Sequence, residues 1–194
     1  MSMNRFRKHF IALAAPSGGG KTTLCRMLLA KYPDTCLSIS YTTRKPRGAE
    51  RDGVEYHFVD EAKFQALIQQ GCFIEWAKVH GNYYGTSRVY LEDQCAQGKV
   101  VLLDVDVQGV DSLKEAFGDR CLSVFILPPS MEELEKRLRA RQTESEEKLR
   151  ERLRNAQEEM GRARDFDHRI VNHDLQESFA ELAKIMEREV GLVR

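Results

Sequence analysis

One stretch near the beginning of the chain decides the fold: Phe10-Ile-Ala-Leu-Ala-Ala-Pro-Ser-Gly-Gly-Gly-Lys-Thr-Thr23. An apolar run of strand length leads into a glycine-rich turn, and a helical pattern follows from Lys21 to Lys31. Small residues let several backbone N–H groups converge on a polyphosphate, and the positive end of the helix favours the same charge. Lys21 then reaches the β and γ phosphates, and the Thr22 hydroxyl can bind Mg²⁺. The stretch therefore predicts a nucleoside triphosphate site, against the alternative of a merely flexible turn.

Length and composition exclude several other classes of protein. The 194 residues predict one domain, and 30 basic residues balance 30 acidic ones, so no overall field recruits nucleic acid or an anionic membrane. The five cysteines are scattered and show no CxxC spacing, which argues against disulfides and zinc and favours a reducing cytoplasm. The apolar run Phe10 to Ala15 is too short for a signal peptide or a membrane span. We expect a soluble, cytoplasmic protein, with self-association left open.

Apolar runs alternate with helical patterns along the chain, which is typical of a parallel sheet covered by helices. The run at Val100 to Val105 is apolar on both faces, as in a central strand, and Asp104 and Asp106 stand at its end. Ligands lie beyond the carboxyl ends of such strands, so both acids are expected near the phosphate site. Asp104 can hold Mg²⁺ through water and Asp106 can accept from a substrate, or either can simply cap the next turn. The other strand candidates are Leu37 to Ser40, Cys121 to Leu127 and His168 to Asn172.

Residues 40–97 change to short strands, turns and aromatics, which predicts a lobe inserted into the same domain. In Ser40-Tyr-Thr-Thr-Arg-Lys-Pro-Arg47 a proline keeps the chain extended and places Arg44 close to Arg47. Two guanidinium groups suit one phosphate, although exposed arginines are often only solvated. Tyr56 and Tyr84 strengthen the phosphate hypothesis if their hydroxyls point to the same place.

Further along the lobe, Cys72 to Val79 alternates like a strand and predicts that Glu75 shares an apolar face with Phe73 and Ala77. A carboxylate there either sits at a solvated edge or accepts from a ligand. Guanine offers two adjacent donors, the N1–H and the exocyclic amine, and adenine has no such pair. The following Gly81-Asn-Tyr-Tyr-Gly-Thr86 predicts a tight turn, with Thr86 or Ser87 capping the next helix.

Two capping boxes, Ser130-Met-Glu-Glu133 and Thr143-Glu-Ser-Glu146, predict two short helices joined by a charged turn. Arg137 and Arg141 are four residues apart and share a helix face, and Arg152 lies about three turns beyond them. Most charges on such helices are solvated and paired at helical spacing. The alternative is a mobile lid that closes its arginines over a transferring phosphoryl group and excludes water.

Taken together, these motifs resemble those of the guanylate kinase family, in the family's order. The resemblance covers about Phe10 to Met186. It rests on Ala15 to Thr22, Ser40 to Arg47 with Glu50, Phe73-Ile-Glu-Trp, Gly81 to Thr86, Leu103-Asp-Val-Asp-Val-Gln-Gly109 and Ile170-Val-Asn-His-Asp-Leu175. The family pattern has glycine where this chain has Ala15 and often glycine where it has Gln142. We expect both departures to be tolerated because neither removes a charged group.

The resemblance implies a role for each matching residue. ATP-binding residues would be Ala15, Pro16, Ser17, Gly18, Gly19, Gly20, Lys21, Thr22, Thr23 and Asn172, the last beside the ATP base. GMP-binding residues would be Ser40, Arg44, Arg47, Glu50, Tyr56, Glu75, Tyr84, Thr86, Asp104 and Asp106. Catalytic charges would come from Lys21, Arg44, Arg137, Arg141 and Arg152, and Mg²⁺ would be held by Thr22 and, through water, Asp104.

The resemblance also implies a three-layer α/β fold of the P-loop type within a single domain, 1–194. Its core would comprise about 9–39, 98–129 and 153–194, its GMP-binding lobe about 40–97 and its helical lid about 130–152. The implied reaction moves the γ-phosphoryl group of ATP to GMP, or to dGMP, with Mg²⁺ as cofactor.

Two alternatives remain open at the level of sequence. Domains of this fold also serve as peptide-binding scaffold modules without catalysis, but these usually have a damaged phosphate loop and accompany other domains. A kinase for another small phosphate acceptor could use the same scaffold, against which Glu75 and the tyrosine-rich turn argue.

Overall fold

A parallel sheet forms the centre of the structure, a computed structural model that describes residues 6–79, 81–140 and 146–193. Within these ranges the sheet has five strands, each parallel to its neighbours. In spatial order they are β2 (Thr35–Leu37), β7 (Val100–Asp104), β1 (Phe10–Ala14), β8 (Cys121–Leu127) and β9 (His168–Val171). The first strand in sequence is therefore central, and its carboxyl end meets that of β7 at one edge of the sheet.

Both faces of this sheet are covered, because successive residues of β1 enter two different apolar clusters. Ile11 and Leu13 pack with residues of the first and last helices, whereas Phe10 and Ala12 pack on the other side. This confirms the predicted three-layer α/β fold. The helices of the described ranges are α1 (Lys21–Lys31), α2 (Glu61–Gln69), α3 (Arg88–Ala96), α4 (Val107–Phe117), α5 (Met131–Ala140), α6 (Glu146–Gly161) and α7 (Leu175–Ile185). Among them, none is both long and apolar enough to cross a membrane.

A second sheet lies within the segment predicted to form the inserted lobe. In spatial order its strands are β4 (His57–Phe58), β3 (Tyr41–Thr42), β6 (Asn82–Ser87) and β5 (Phe73–Val79). Helix α2 packs Phe64 against Phe73 and Tyr83 of this sheet, with ring centroids 4.6 and 5.4 Å away. Aromatic stacking therefore supplies the apolar layer of this small sheet.

Two of the sequence predictions fail in their boundaries. The strand predicted at Leu37 to Ser40 lies earlier, at β2, because pairing with β7 already begins at Thr35 and the chain leaves the sheet after Ser38. The tight turn predicted at Gly81 to Thr86 is mostly strand β6. Its tyrosines and threonine suit a pleated strand, and Gly85 is needed because a Cβ there would lie 3.0 Å from the rings of Phe64 and Phe73.

Strand β5 changes face between Phe73 and Glu75. Its pairing with β6 shifts register there, as at a β-bulge. Phe73 therefore stacks on Phe64, whereas Glu75 lies opposite Thr86 and lines a cleft on the other side of the sheet. The prediction that Phe73 and Glu75 share a face is wrong, because strict alternation assumes an uninterrupted ladder.

The predicted helix caps are found where the structure describes them. Ser87 Oγ accepts from the Tyr90 N–H at 3.2 Å at the start of α3. Ser130 Oγ accepts from the Glu133 N–H at 3.2 Å, which is one half of the predicted capping box at α5. The second box, Thr143 to Glu146, includes positions outside the described residues.

The contribution of a helix cap to stability can be tested at Asp174. Its carboxylate caps α7 by accepting from the N–H groups of Gln176 and Glu177 at 2.8 and 3.0 Å. We expect Asp174→Ala to lower the free energy of unfolding by about 1 kcal/mol, the usual effect of losing an N-cap. Urea denaturation measures this, with Glu181→Ala on the exposed side of the same helix as control. Equal effects of the two substitutions would contradict a capping role.

Candidate active site

The loop between β1 and α1 forms a phosphate-sized cradle. The Gly19 N–H donates to the Pro16 carbonyl at 2.8 Å, and Gly18 and Gly20 adopt φ of 89° and 97°. These positive angles favour glycine and turn the backbone around an open centre. Gly20 is the N-cap of α1 and has no side chain to cover the first N–H groups of the helix. A cleft of about 350 Å³ opens here, lined by residues 15–23, Asp104, Asp106 and Glu159.

Lys21 lies between the loop and the end of β7. Its Nζ is 2.5 Å from Asp104 Oδ1 and donates to the Val105 carbonyl at 3.0 Å. The neighbouring positions of β1 and β7 in the sheet bring these groups together. The ammonium group is thus fixed at the mouth of the cradle, beside a carboxylate that is 42% exposed.

A second cleft of about 270 Å³ lies between the two sheets. It meets the first cleft at Asp104 and Asp106, which line both. Asp106 also caps α4, with its Oδ1 accepting from the Gly109 N–H at 2.7 Å. The other predicted residues that line this cleft are Ser40, Tyr56, Glu75, Tyr84 and Thr86.

Glu75 is a further acid that lines the second cleft. Thr86 lies opposite it across the β5–β6 pair and donates from Oγ1 to Glu75 Oε1 at 2.5 Å. Burial raises the pKa of Glu75, the Thr86 hydrogen bond opposes this rise, and the negative charge of Asp106 adds to it. The carboxylate is therefore held with one oxygen engaged and is well placed to accept from a ligand.

Arg44 is held in place by the loop that carries it. Its two terminal nitrogens lie 2.9 and 3.0 Å from the Glu50 oxygens, and its guanidinium carbon lies 5.4 Å from the centroid of the Tyr56 ring. Glu50 also accepts from the Arg47 N–H at 2.8 Å, while the Arg47 side chain is exposed. The Glu50 hydrogen bond raises the pKa of Arg44, and the reverse contact lowers the pKa of Glu50. Glu50 therefore orients the arginine loop.

Two of the three predicted lid arginines contact the phosphate loop or a residue hydrogen-bonded to it. Arg137 on α5 lies 3.3 Å from Glu133 and donates from Nη2 to the Asn172 carbonyl at 3.2 Å. Arg152 on α6 donates to Ser17 Oγ at 3.3 Å. The third, Arg141, lies outside the described residues, as does Gln142.

Asn172 stands beneath the loop and is only 5% exposed. Its Nδ2 donates to the Gly19 carbonyl at 2.9 Å. The family resemblance implies a place for this residue beside the ATP base, which stays a prediction. In the structure its side-chain hydrogen bond is to the phosphate loop.

Glu159 is a cleft residue that the sequence reasoning missed. It lines the cradle with Lys21 and Asp106, and burial raises its pKa, with Lys21 opposing and Asp106 adding to the rise. A signal existed, because Glu159 follows Arg152 by seven residues, or two helical turns, so both lie on one face of α6.

The chain was compared with known proteins. The guanylate kinase family model matches residues 7–189. A guanylate kinase of Aromatoleum aromaticum is 52% identical over 176 residues, covering 91% of this chain and 86% of that protein. A guanylate kinase of Myxococcus xanthus is 46% identical over 180 residues, covering 92% and 86%. The crystal structure of guanylate kinase from Anaplasma phagocytophilum is similar at a TM-score of 0.74 and 34% identity, covering 94% of this chain and 86% of that one.

The raised pKa of Glu75 predicts a cost in stability. A carboxylate whose folded pKa lies above its unfolded value destabilises the fold increasingly as pH rises from the unfolded pKa through the folded one. Glu75→Gln keeps the shape of the side chain and carries no charge. We therefore expect its free energy of unfolding to rise relative to that of the unsubstituted protein as pH increases over that range. Urea denaturation from pH 4 to pH 8 measures the difference. A carboxylate stabilised by its surroundings would give the opposite trend.

Proposed function

The chain belongs to the guanylate kinase family, and on that premise we propose that it transfers the γ-phosphoryl group of ATP to GMP, giving ADP and GDP. The observation that carries this proposal is the meeting of the two clefts at Asp104 and Asp106. One cleft is a glycine-rich cradle with a lysine at its mouth, and the other is lined by the half-buried carboxylate of Glu75. A donor phosphate chain and an acceptor nucleotide bound in these clefts would face each other there.

The second cleft suits GMP. Glu75 would accept from the guanine N1–H and the exocyclic amine, with Ser40, Thr86 and Asp106 completing the contacts to the base. At the other end, Arg44, Arg47, Tyr56 and Tyr84 would hold the phosphate, since Arg44 is already fixed by Glu50 and by its stacking on Tyr56. The half-buried Glu75 carboxylate supports guanine over adenine, because adenine would present to it an acceptor at N1 and leave it unpaired.

The first cleft suits the phosphates of ATP. The loop of residues 15–20 would surround their oxygens and donate from its backbone N–H groups, of which Pro16 has none, with Thr23 beside them and Lys21 reaching the β and γ positions. Mg²⁺ bound with the nucleotide would neutralise phosphate charge. Thr22 and Asp104 would hold it, Asp104 through water. In the described part of the chain no three His, Cys, Asp or Glu side chains form a metal cluster, which fits an ion bound mainly by phosphates and water.

Catalysis would consist of positioning and charge stabilisation. An oxygen of the GMP phosphate attacks the γ-phosphorus in line, the bond to the ADP oxygen breaks, and no covalent enzyme intermediate forms. The nucleophile is already anionic, so no strong general base is needed. Lys21, Arg44, Arg137, Arg141 and Arg152 would stabilise the charge on the transferring group.

The proposed function divides the chain into a core, a GMP-binding lobe and a lid. The core would be about 9–39, 98–129 and 153–194, the GMP-binding lobe about 40–97 and the lid about 130–152, all within one domain. Arg137 and Arg152 come from the two lid helices and both reach toward the loop, which supports a lid that closes over the phosphates. We place the protein in the cytoplasm, where its substrates are made and used.

Acceptor specificity tests this function. We expect rapid ADP release from ATP and Mg²⁺ with GMP, and little with AMP, CMP or UMP. Glu75→Gln should lower kcat/KM for GMP about 100-fold, because a buried polar contact to the base is lost. Glu61→Gln, an exposed acid at the start of α2, is the matched control. Activity with another monophosphate would overturn the guanine assignment, and no turnover with any acceptor would favour the scaffold module.

Removal of the metal tests the role of Asp104. Chelation by EDTA should abolish turnover. Asp104→Asn should raise the Mg²⁺ concentration needed for half-maximal activity by about tenfold, the scale expected for a contact outside the inner ligands. Asp93→Asn, an exposed acid on α3, serves as control. If Asp104→Asn leaves the Mg²⁺ requirement unchanged, Asp104 does not help to hold the metal and serves only as the ion-pair partner of Lys21.

A further inference from the structure

Asn172 joins three parts of the candidate site through hydrogen bonds. Its backbone N–H continues the sheet by donating to the Leu127 carbonyl at 2.8 Å, directly after β9. Its side chain donates to Gly19 in the phosphate loop, and its carbonyl accepts from Arg137 on α5 at 3.2 Å. The residue is anchored to the rigid sheet and contacts both the loop and a lid helix.

The side-chain bond determines which way one loop peptide faces. A trans peptide is planar, so its C=O and N–H point to opposite sides. Nδ2 of Asn172 holds the Gly19 carbonyl toward the interior at 2.9 Å. The N–H of Gly20, in the same peptide, is therefore directed away from the interior and toward the cradle.

Gly20 and Asn172 are fitted to each other. A Cβ built on Gly20 would lie 2.3 Å from Asn172 Nδ2, and the φ of 97° at Gly20 is one that side chains rarely adopt. The missing side chain is what allows the amide to come beneath the loop. This peptide has two possible orientations, because glycine on both sides of the bond places little restriction on its rotation.

We propose that Asn172 is a positioning residue that holds the Gly19–Gly20 peptide with its N–H toward the nucleotide phosphates, so that the donor is oriented before ATP binds. The proposal rests on the proposed function for its ligand. It differs from a contact to the ATP base, since the side chain acts through the loop and touches no part of the nucleotide. The Arg137 contact to the same residue ties the first lid arginine to this loop support.

Two substitutions separate these roles. Asn172→Ala removes the donor. Asn172→Asp replaces it with an acceptor, which favours the reversed peptide with the Gly20 N–H turned inward. We expect ATP binding, measured by calorimetry, to weaken about tenfold in the alanine variant and further in the aspartate variant, the scale of a lost hydrogen bond to a charged group. GMP binding should stay within about twofold in both, and Asn155→Asp, exposed on α6, should change neither.

Comparison with inosine triphosphate, which lacks the adenine amino group, tests contact to the base. A positioning role predicts that both nucleotides lose affinity by the same factor in each variant. A loss confined to ATP would overturn the proposal in favour of base recognition. If kinase activity and GMP specificity hold while Asn172→Asp binds ATP normally, the positioning role fails and the proposed function stands.

A measurement on the unsubstituted protein keeps the test independent of variant folding. The Gly20 amide resonance, followed by ¹⁵N NMR during titration with ATP, should move as strongly as the other loop amides. A Gly20 amide resonance that stays fixed while the others shift would contradict the proposal.

The fit between Gly20 and Asn172 can be tested by a double substitution. Gly20→Ala should lower the melting temperature less in the Asn172→Ala background than in the unsubstituted protein. The clash between the new Cβ and Asn172 Nδ2 is then absent, and only the φ strain at position 20 remains.

Discussion

The position of β1 between β7 and β8 is the constraint on which the rest of the site depends. Both faces of β1 are buried, so the strand cannot shift without moving two apolar clusters. Its carboxyl end delivers the glycine-rich loop, and the end of β7 beside it delivers Asp104 to within 2.5 Å of Lys21. Parallel strands end on the same side of a sheet. The pairing of β1 with β7 therefore brings the glycine-rich loop and Asp104 together at one edge.

Three of the cations proposed to act in the site are held by other groups of the protein. Asp104 holds Lys21, Glu50 holds Arg44, and the Asn172 carbonyl holds Arg137. Such contacts fix long side chains that would otherwise lose rotational freedom when substrate binds. Glu75 is a half-buried acid that lines the second cleft, and burial raises its pKa.

Asn172 is a buried residue that contacts the phosphate loop from beneath. The N–H donors of the phosphate loop belong to its backbone. The direction of each N–H depends on how its peptide is held, including by side chains packed against the loop. Here a buried amide sets one peptide and leaves space only for glycine at position 20.

The sequence by itself determined the features that depend on residues close together in the chain. These are the buried strand β1, the glycine-rich loop, the α1 helix and the caps at Ser87 and Ser130. Residue type and spacing also predicted the cleft residues Glu75 and Asp104 and the arginine pair that includes Arg44, each beside an alternative structural role. Only tertiary structure decided the β-bulge that separates Phe73 from Glu75, the extended β6 and the entry of Glu159 into the cradle. It also decided that Asn172 lies under the loop. These features depend on contacts between residues far apart in sequence, where register and packing select among conformations that local preference leaves equal in energy.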